Sequence, residues 1–234
     1  RREKRKCTSA ARQRMNLKRA AQKLELSLAA NFGQRDLVLS LGYDDAHLPE
    51  TREAAVACLR KLLRQLRTVR KRNGQELKYI YVTEGLHGDK RVHHHLVING
   101  TGSDLETLRS LWPHGDVDLA PLSLRDGYYA LAEYLTKEPR NGDRTLNGSR
   151  CWTPSRGLAK PEVESTTIPD NLTLSVPPGA VVLDSDSIRN EFGEFVYLKY
   201  LLPERLERAF KVKSPGKPRT KKRSCRKKKD VVQS

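Results

Sequence analysis

The chain has 234 residues, 37% hydrophobic and 31% charged, with a formal net charge of +17, enough for one sizeable core with an appendage. No apolar run approaches the roughly 18–20 residues that span a bilayer, and the opening RREKRKCTSAARQR lacks the apolar middle of a signal peptide. Cys7, Cys58, Cys151 and Cys225 form no CxxC pair, which argues against a disulfide framework or zinc knuckle and for a reducing compartment.

The positive charge sits at the ends. Residues 1–19 carry nine Lys/Arg against the single acid Glu3, and Lys211 to Lys229 carry eleven with no acid, leaving the middle nearly neutral. Polyanion affinity is therefore expected in two tails, at the C-terminal end through Lys211, Lys213, Lys217, Arg219, Lys221, Lys222 and Arg223. The same charge also reads as plain solubility. SPGKPRTKKRSCRKKK combines Pro, Gly and charge without apolar periodicity and is expected to be disordered. The division is a basic N-terminal arm (1–30), a folded domain (31–210) and a basic tail (211–234).

DLVLSLGY (36–43) reads as a buried strand. In PETREAAVACLRKLLRQLRTVRKRNG, apolar Ala55, Cys58, Leu59, Leu62, Leu63, Leu66 and Val69 recur with helical spacing, and Asn73-Gly74 closes the helix. ELKYIYVTE (76–84) and VHHHLVI (92–98) are strands joined by GLHGDKR. SDLETLRSLW predicts a short helix opened by a capping box between Ser103 and Glu106. DVDLAPL is a strand candidate, and SLRDGYYALAEYLTKE (123–138) is a further helix. VVLDSDS and EFVYLKYLL predict two strands around Asn190–Gly193, although residues after about 165 suggest no role. The class is α+β, an antiparallel sheet with a few helices.

Three of the six histidines fall in RVHHHLVING. Strand side chains alternate, so His93 and His95 share one face and His94 takes the other. If the hairpin pairs Glu84 opposite His93, its carboxylate joins both imidazoles; a one-residue slip would turn it away. Two imidazoles and a carboxylate can hold a divalent ion with open positions, Mg²⁺ or Mn²⁺ in a cell, although imidazole itself favours Zn²⁺. The competing reading is a cluster of surface histidines. His87, in the turn, is expected to face solvent.

The helix GYYALAEYLTKE carries Tyr128, Tyr129 and Tyr134. Tyr134 and Lys137 lie about 60° apart around a helix, whereas Tyr128 and Tyr129 point well away from Tyr134. A tyrosine beside positive charge suits nucleophilic attack on phosphorus, the charge favouring phenolate. Helix tyrosines more often pack, as expected of Tyr128 and Tyr129.

Taken together, YVTEGLHGDKRVHHHLVING resembles the second motif of HUH endonucleases, the rolling-circle replication initiators and relaxases, and looks closest to Rep proteins of phages and small replicons. DLVLSLGYDD is similar to the family's first strand motif, with Gly42 where Thr is usual. YALAEYLTKE resembles the third, with its Tyr three residues before a Lys, and SRCWTPSRGLAKPE is similar to a downstream segment of phage-type members. These segments fall in order across roughly residues 30–165.

The resemblance implies a central antiparallel sheet of about five strands with the histidine strand in the middle, helices packed on it, and residues 31–210 as the nuclease domain. It implies Glu84, His93 and His95 as ligands of Mg²⁺ or Mn²⁺, Tyr134 as nucleophile and Lys137 as its assistant. Some phage initiators carry a second tyrosine four residues from the first; Ala130 occupies that position, pointing to a one-tyrosine enzyme. The implied activity is nicking and joining of single-stranded origin DNA through a 5′-phosphotyrosine. Implied partners are origin DNA, a host helicase and a DNA polymerase in the host bacterial cytoplasm, with no membrane and no small-molecule substrate. PGKPRTKK fails the Walker A spacing, so a helicase would be borrowed. Rival readings are a relaxase or single-tyrosine transposase, a catalytically inactive nucleic-acid-binding protein, and a nuclease that hydrolyses with water.

Overall fold

A computed structural model describes residues 9–85, 91–123, 127–136, 152–167, 174–191 and 193–202. The predicted helix over the 50s and 60s is α2 (Arg52–Arg72). Thr51 caps it, its hydroxyl accepting from Ala54 N at 3.2 Å, and Arg70, Lys71 and Arg72 complement the dipole of its last turn. Ala55, Leu59, Leu62, Leu63 and Leu66 form its buried stripe. Each fully buried leucine contributes about 1.5–3 kcal/mol.

Strands β1 (Leu37–Leu41), β2 (Tyr79–Glu84), β3 (His93–Ile98), β4 (Val117–Pro121) and β5 (Thr153–Pro154) form one sheet in the order β4-β1-β3-β2-β5. Each neighbouring pair is antiparallel, and the histidine strand is central, as expected. Leu39, Leu41, Tyr81, Leu96 and Ile98 face α2 and α3 (Asp104–Leu111). Val38, Ile80, Val82 and Val97 face the other way, onto α1 (Ala10–Asn31) and α4 (Tyr129–Thr136). This is the expected α+β architecture, a five-stranded antiparallel sheet covered by four helices.

Three features differ from the sequence reading. Residues 10–31, read as part of a basic arm, form α1. Its first half is basic and largely exposed, but Leu24 and Leu28 in its second half are fully buried under the sheet. The capping box at α3 does not form, since Ser103 makes no side-chain cap. Asp104 takes over: its carboxylate accepts from Thr101 N at 2.6 Å, Thr101 Oγ1 at 2.7 Å and the buried Arg70 guanidinium at 2.8 Å. Finally, the fifth strand is the two-residue β5, paired with Ile80 and Tyr81. The two predicted C-terminal strands, β6 (Val181–Asn190) and β7 (Gly193–Leu201), instead pair with each other in a separate sheet. Lys199 anchors that hairpin, pairing with Glu25 of α1 at 2.5 Å and sitting 4.7 Å above the Tyr129 ring.

Candidate active site

The β2–β3 register pairs Glu84 with His93, so strand alternation sets Glu84, His93 and His95 on the face covered by α1 and α4. Glu84 Oε2 lies 3.6 Å from His93 Nε2 and 3.8 Å from His95 Nε2, and the potential ligand atoms of all three fall within 4.8 Å of one another. The hairpin base is tight. Gly85 adopts φ 93°, and a Cβ there would collide with the Arg91 carbonyl. Arg52 braces the end of β2, donating to Thr83 O at 2.9 Å.

The donor set fits a divalent cation. Two imidazoles and a carboxylate converge, and His93 Nδ1–H donates to Arg91 O at 2.9 Å, which leaves the lone pair of Nε2 on the side of Glu84. A backbone carbonyl orienting a histidine in this way is a common support of metal ligation.

His94 takes the opposite face and a different role. Its ring is fully buried between Tyr43 Oη, 2.8 Å from Nε2, and Thr83 Oγ1, 2.9 Å from Nδ1, with Trp112 edge-on. Burial pushes its pKa down to about 3, with His93, Arg52 and His95 adding to the effect, so the ring is neutral. The same burial raises Tyr43, whose hydroxyl stays protonated.

Among the three tyrosines, Tyr134 reaches the cluster. Its hydroxyl lies 3.3 Å from His95 Nε2, its ring meets the imidazole edge-on at 5.2 Å, and it is 41% exposed, open to an incoming strand. Tyr128 is 2% exposed and donates to Phe32 O at 3.0 Å, a packing role as expected. Tyr129 lies under Lys199. Ala132 and Leu135 bury the inner side of α4, holding Tyr134 at its rim. Lys137, His87 and the tail residues Lys211, Lys213, Lys217, Arg219, Lys221, Lys222 and Arg223 lie outside the described residues.

The brace from Arg52 and the cradle around His94 were not anticipated individually. Both join residues far apart in the chain, and only Tyr43, in the GYDD after β1, carried a local sign of importance.

Residues 36–139 match the family model of the ORF2-type replication-associated proteins. The matched stretch runs from β1 past α4 and contains Glu84, His93, His95, Tyr134 and Lys137; it supports a replication initiator protein, and with it a DNA partner. No match was found among curated proteins or solved structures. Among the described residues no helix is long and apolar enough to cross a membrane.

Proposed function

We propose that this chain is an HUH-type endonuclease that nicks and rejoins single-stranded DNA at a replication origin. The observation that carries this reading is the Tyr134 hydroxyl, 3.3 Å from His95 in a three-residue cluster suited to a divalent cation. Glu84, His93 and His95 would hold Mg²⁺ or Mn²⁺, which supplies positive charge at the scissile phosphate. Tyr134 Oη attacks phosphorus in line, its proton passing to solvent at the exposed rim. The P–O3′ bond breaks as the P–Oη bond forms, and the departing 3′ oxygen takes a proton from water. The products are a 5′-phosphotyrosyl adduct and a free 3′-OH able to prime a polymerase. Attack by a later 3′-OH restores a phosphodiester and releases Tyr134 without ATP. Lys137 assists at the phosphate, residues 31–210 form the catalytic unit, and the basic tails add salt-sensitive retention of DNA. A helicase and a polymerase come from the host, and the site of action is the bacterial cytoplasm.

The test uses a random-sequence single-stranded DNA pool, labelled at the 3′ end, with Mn²⁺. The 3′-labelled fragment is expected to migrate with the protein under denaturing conditions. Tyr134→Phe is expected to abolish the adduct while changing DNA affinity by less than about twofold, since only one hydroxyl is lost. Cleavage that persists in Tyr134→Phe would mean hydrolysis by water. Loss of the adduct only in Tyr128→Phe or Tyr129→Phe would assign the nucleophile elsewhere.

A further inference from the structure

On the opposite side of the sheet from Glu84, His93 and His95, a groove of about 800 Å³ runs between α2 and the β2–β5 edge. Arg60, Arg67 and Lys71 line one wall, Tyr79 and Tyr81 lie on the β2 side, and Arg156 stands just beyond β5. The wall follows from helical geometry: spacings of seven and eleven residues put Arg60, Arg67 and Lys71 within about 40° of one another, over about 16 Å of helix. All three and Arg156 are exposed, and among the described residues none has an acidic partner. The acid beside them, Glu76, is engaged by Lys78 at 3.7 Å. Tyr79 is half-buried and Tyr81 nearly buried, their ring centroids 6.2 Å apart and tilted by 32°.

The geometry points to a second binding groove, for single-stranded nucleic acid, separated from the Tyr134 site by the thickness of the sheet. Cations along one wall and aromatic rings beside them match a polymer with phosphates on one edge and planar bases on the other. An acidic peptide would use the cations and leave the rings without a matching partner. Three of the four cations are arginines, whose planar fork pairs with phosphate oxygens and stacks on bases. A groove of this size admits a few nucleotides but not a duplex. The assignment stands whether or not Tyr134 is a nucleophile, because it uses none of the cluster's residues.

Two measurements on the full chain test it. First, oligo(dT) carrying 5-iodouridine is photocrosslinked to the native protein and the linked peptides are mapped; a crosslink at Tyr79 is expected. Second, fluorescence anisotropy with labelled oligo(dT) compares the native chain with an Arg60→Gln/Arg67→Gln/Lys71→Gln variant over a range of salt. At about 0.7 per single-strand phosphate, losing three contacts should reduce the slope of log affinity against log salt by about 2. The tails contribute equally to both proteins, and adduct formation at Tyr134 on the random-sequence pool should persist in the variant. Crosslinks confined to the Tyr134 face, or an unchanged affinity and slope, would overturn the proposal. So would displacement of the oligonucleotide by poly-glutamate at equal charge, which would make the groove a site for an acidic protein.

Discussion

Three consecutive imidazoles meet three different environments within one strand. His93 and His95 flank a carboxylate, whereas His94 is neutral in an apolar layer with both ring nitrogens bonded. Their substitutions should therefore separate. Glu84→Gln should weaken Mn²⁺ binding by at least roughly tenfold in calorimetric titration, because it removes the carboxylate charge. His94→Leu should leave Mn²⁺ affinity nearly intact while costing about 2–3 kcal/mol in urea unfolding, as Tyr43 and Thr83 lose a buried partner. Equal loss of Mn²⁺ affinity in both variants would contradict this division. Alternation along the strand made the two faces of the trio legible in advance, and the pairing of Glu84 with His93 needed only the register. Choosing Tyr134 needed more. Helical rotation separates it from Tyr128 and Tyr129 but does not say which side of α4 is buried, and that depends on how Ala132 and Leu135 pack beneath the sheet.

At the scale of elements, α2 was legible because its apolar residues repeat over many turns with a cap at each end. β5 was not. Two residues carry no period, and Thr153 and Pro154 become a strand only because the β2 edge pairs with them. The start of α3 was misread for a similar reason: a carboxylate that can bond Arg70 as well as local donors outcompetes a serine cap. Burial alone would raise the Asp104 pKa, but the Thr101 amide and hydroxyl and the Arg70 guanidinium outweigh it and hold it below the usual carboxylate range. Burial also lowers Arg70, yet a guanidinium stays charged at any working pH, so the carboxylate governs the pH response. With its folded pKa depressed, Asp104 stabilises the fold fully above its unfolded pKa of about 3.9, and this contribution is lost as pH falls through the folded value. Asp104→Asn should cost about 3–5 kcal/mol at pH 7 by leaving Arg70 buried without its counter-ion. Urea midpoints between pH 7 and pH 3 should then fall less steeply in the variant than in the native chain.

For the molecule as a whole, the cation-binding trio comes from two strands, whereas the phenol comes from a helix held in a separate layer by α1. Leu28→Ala in that layer should cost about 2–5 kcal/mol in unfolding. It should also slow adduct formation under conditions where the chain remains folded, while Mn²⁺ affinity stays near native. A parallel fall in Mn²⁺ affinity would mean that the two layers are not independent. The second half of α1 was hidden in the sequence by the basic run before it, which averages out the short apolar period of Leu24, Leu28 and Phe32.

The alternation of β3 also governs which changes in chain length the molecule can absorb. Deleting Val97 would carry His94 onto the side of α4 and drive His93 and His95 into the oily layer under α2, where neither finds Glu84. Residues between Gly85 and Arg91 can vary in number without moving that frame, provided the glycine hinge remains. Descendants of this chain should therefore differ in the length of the connector and keep the strand itself free of gaps.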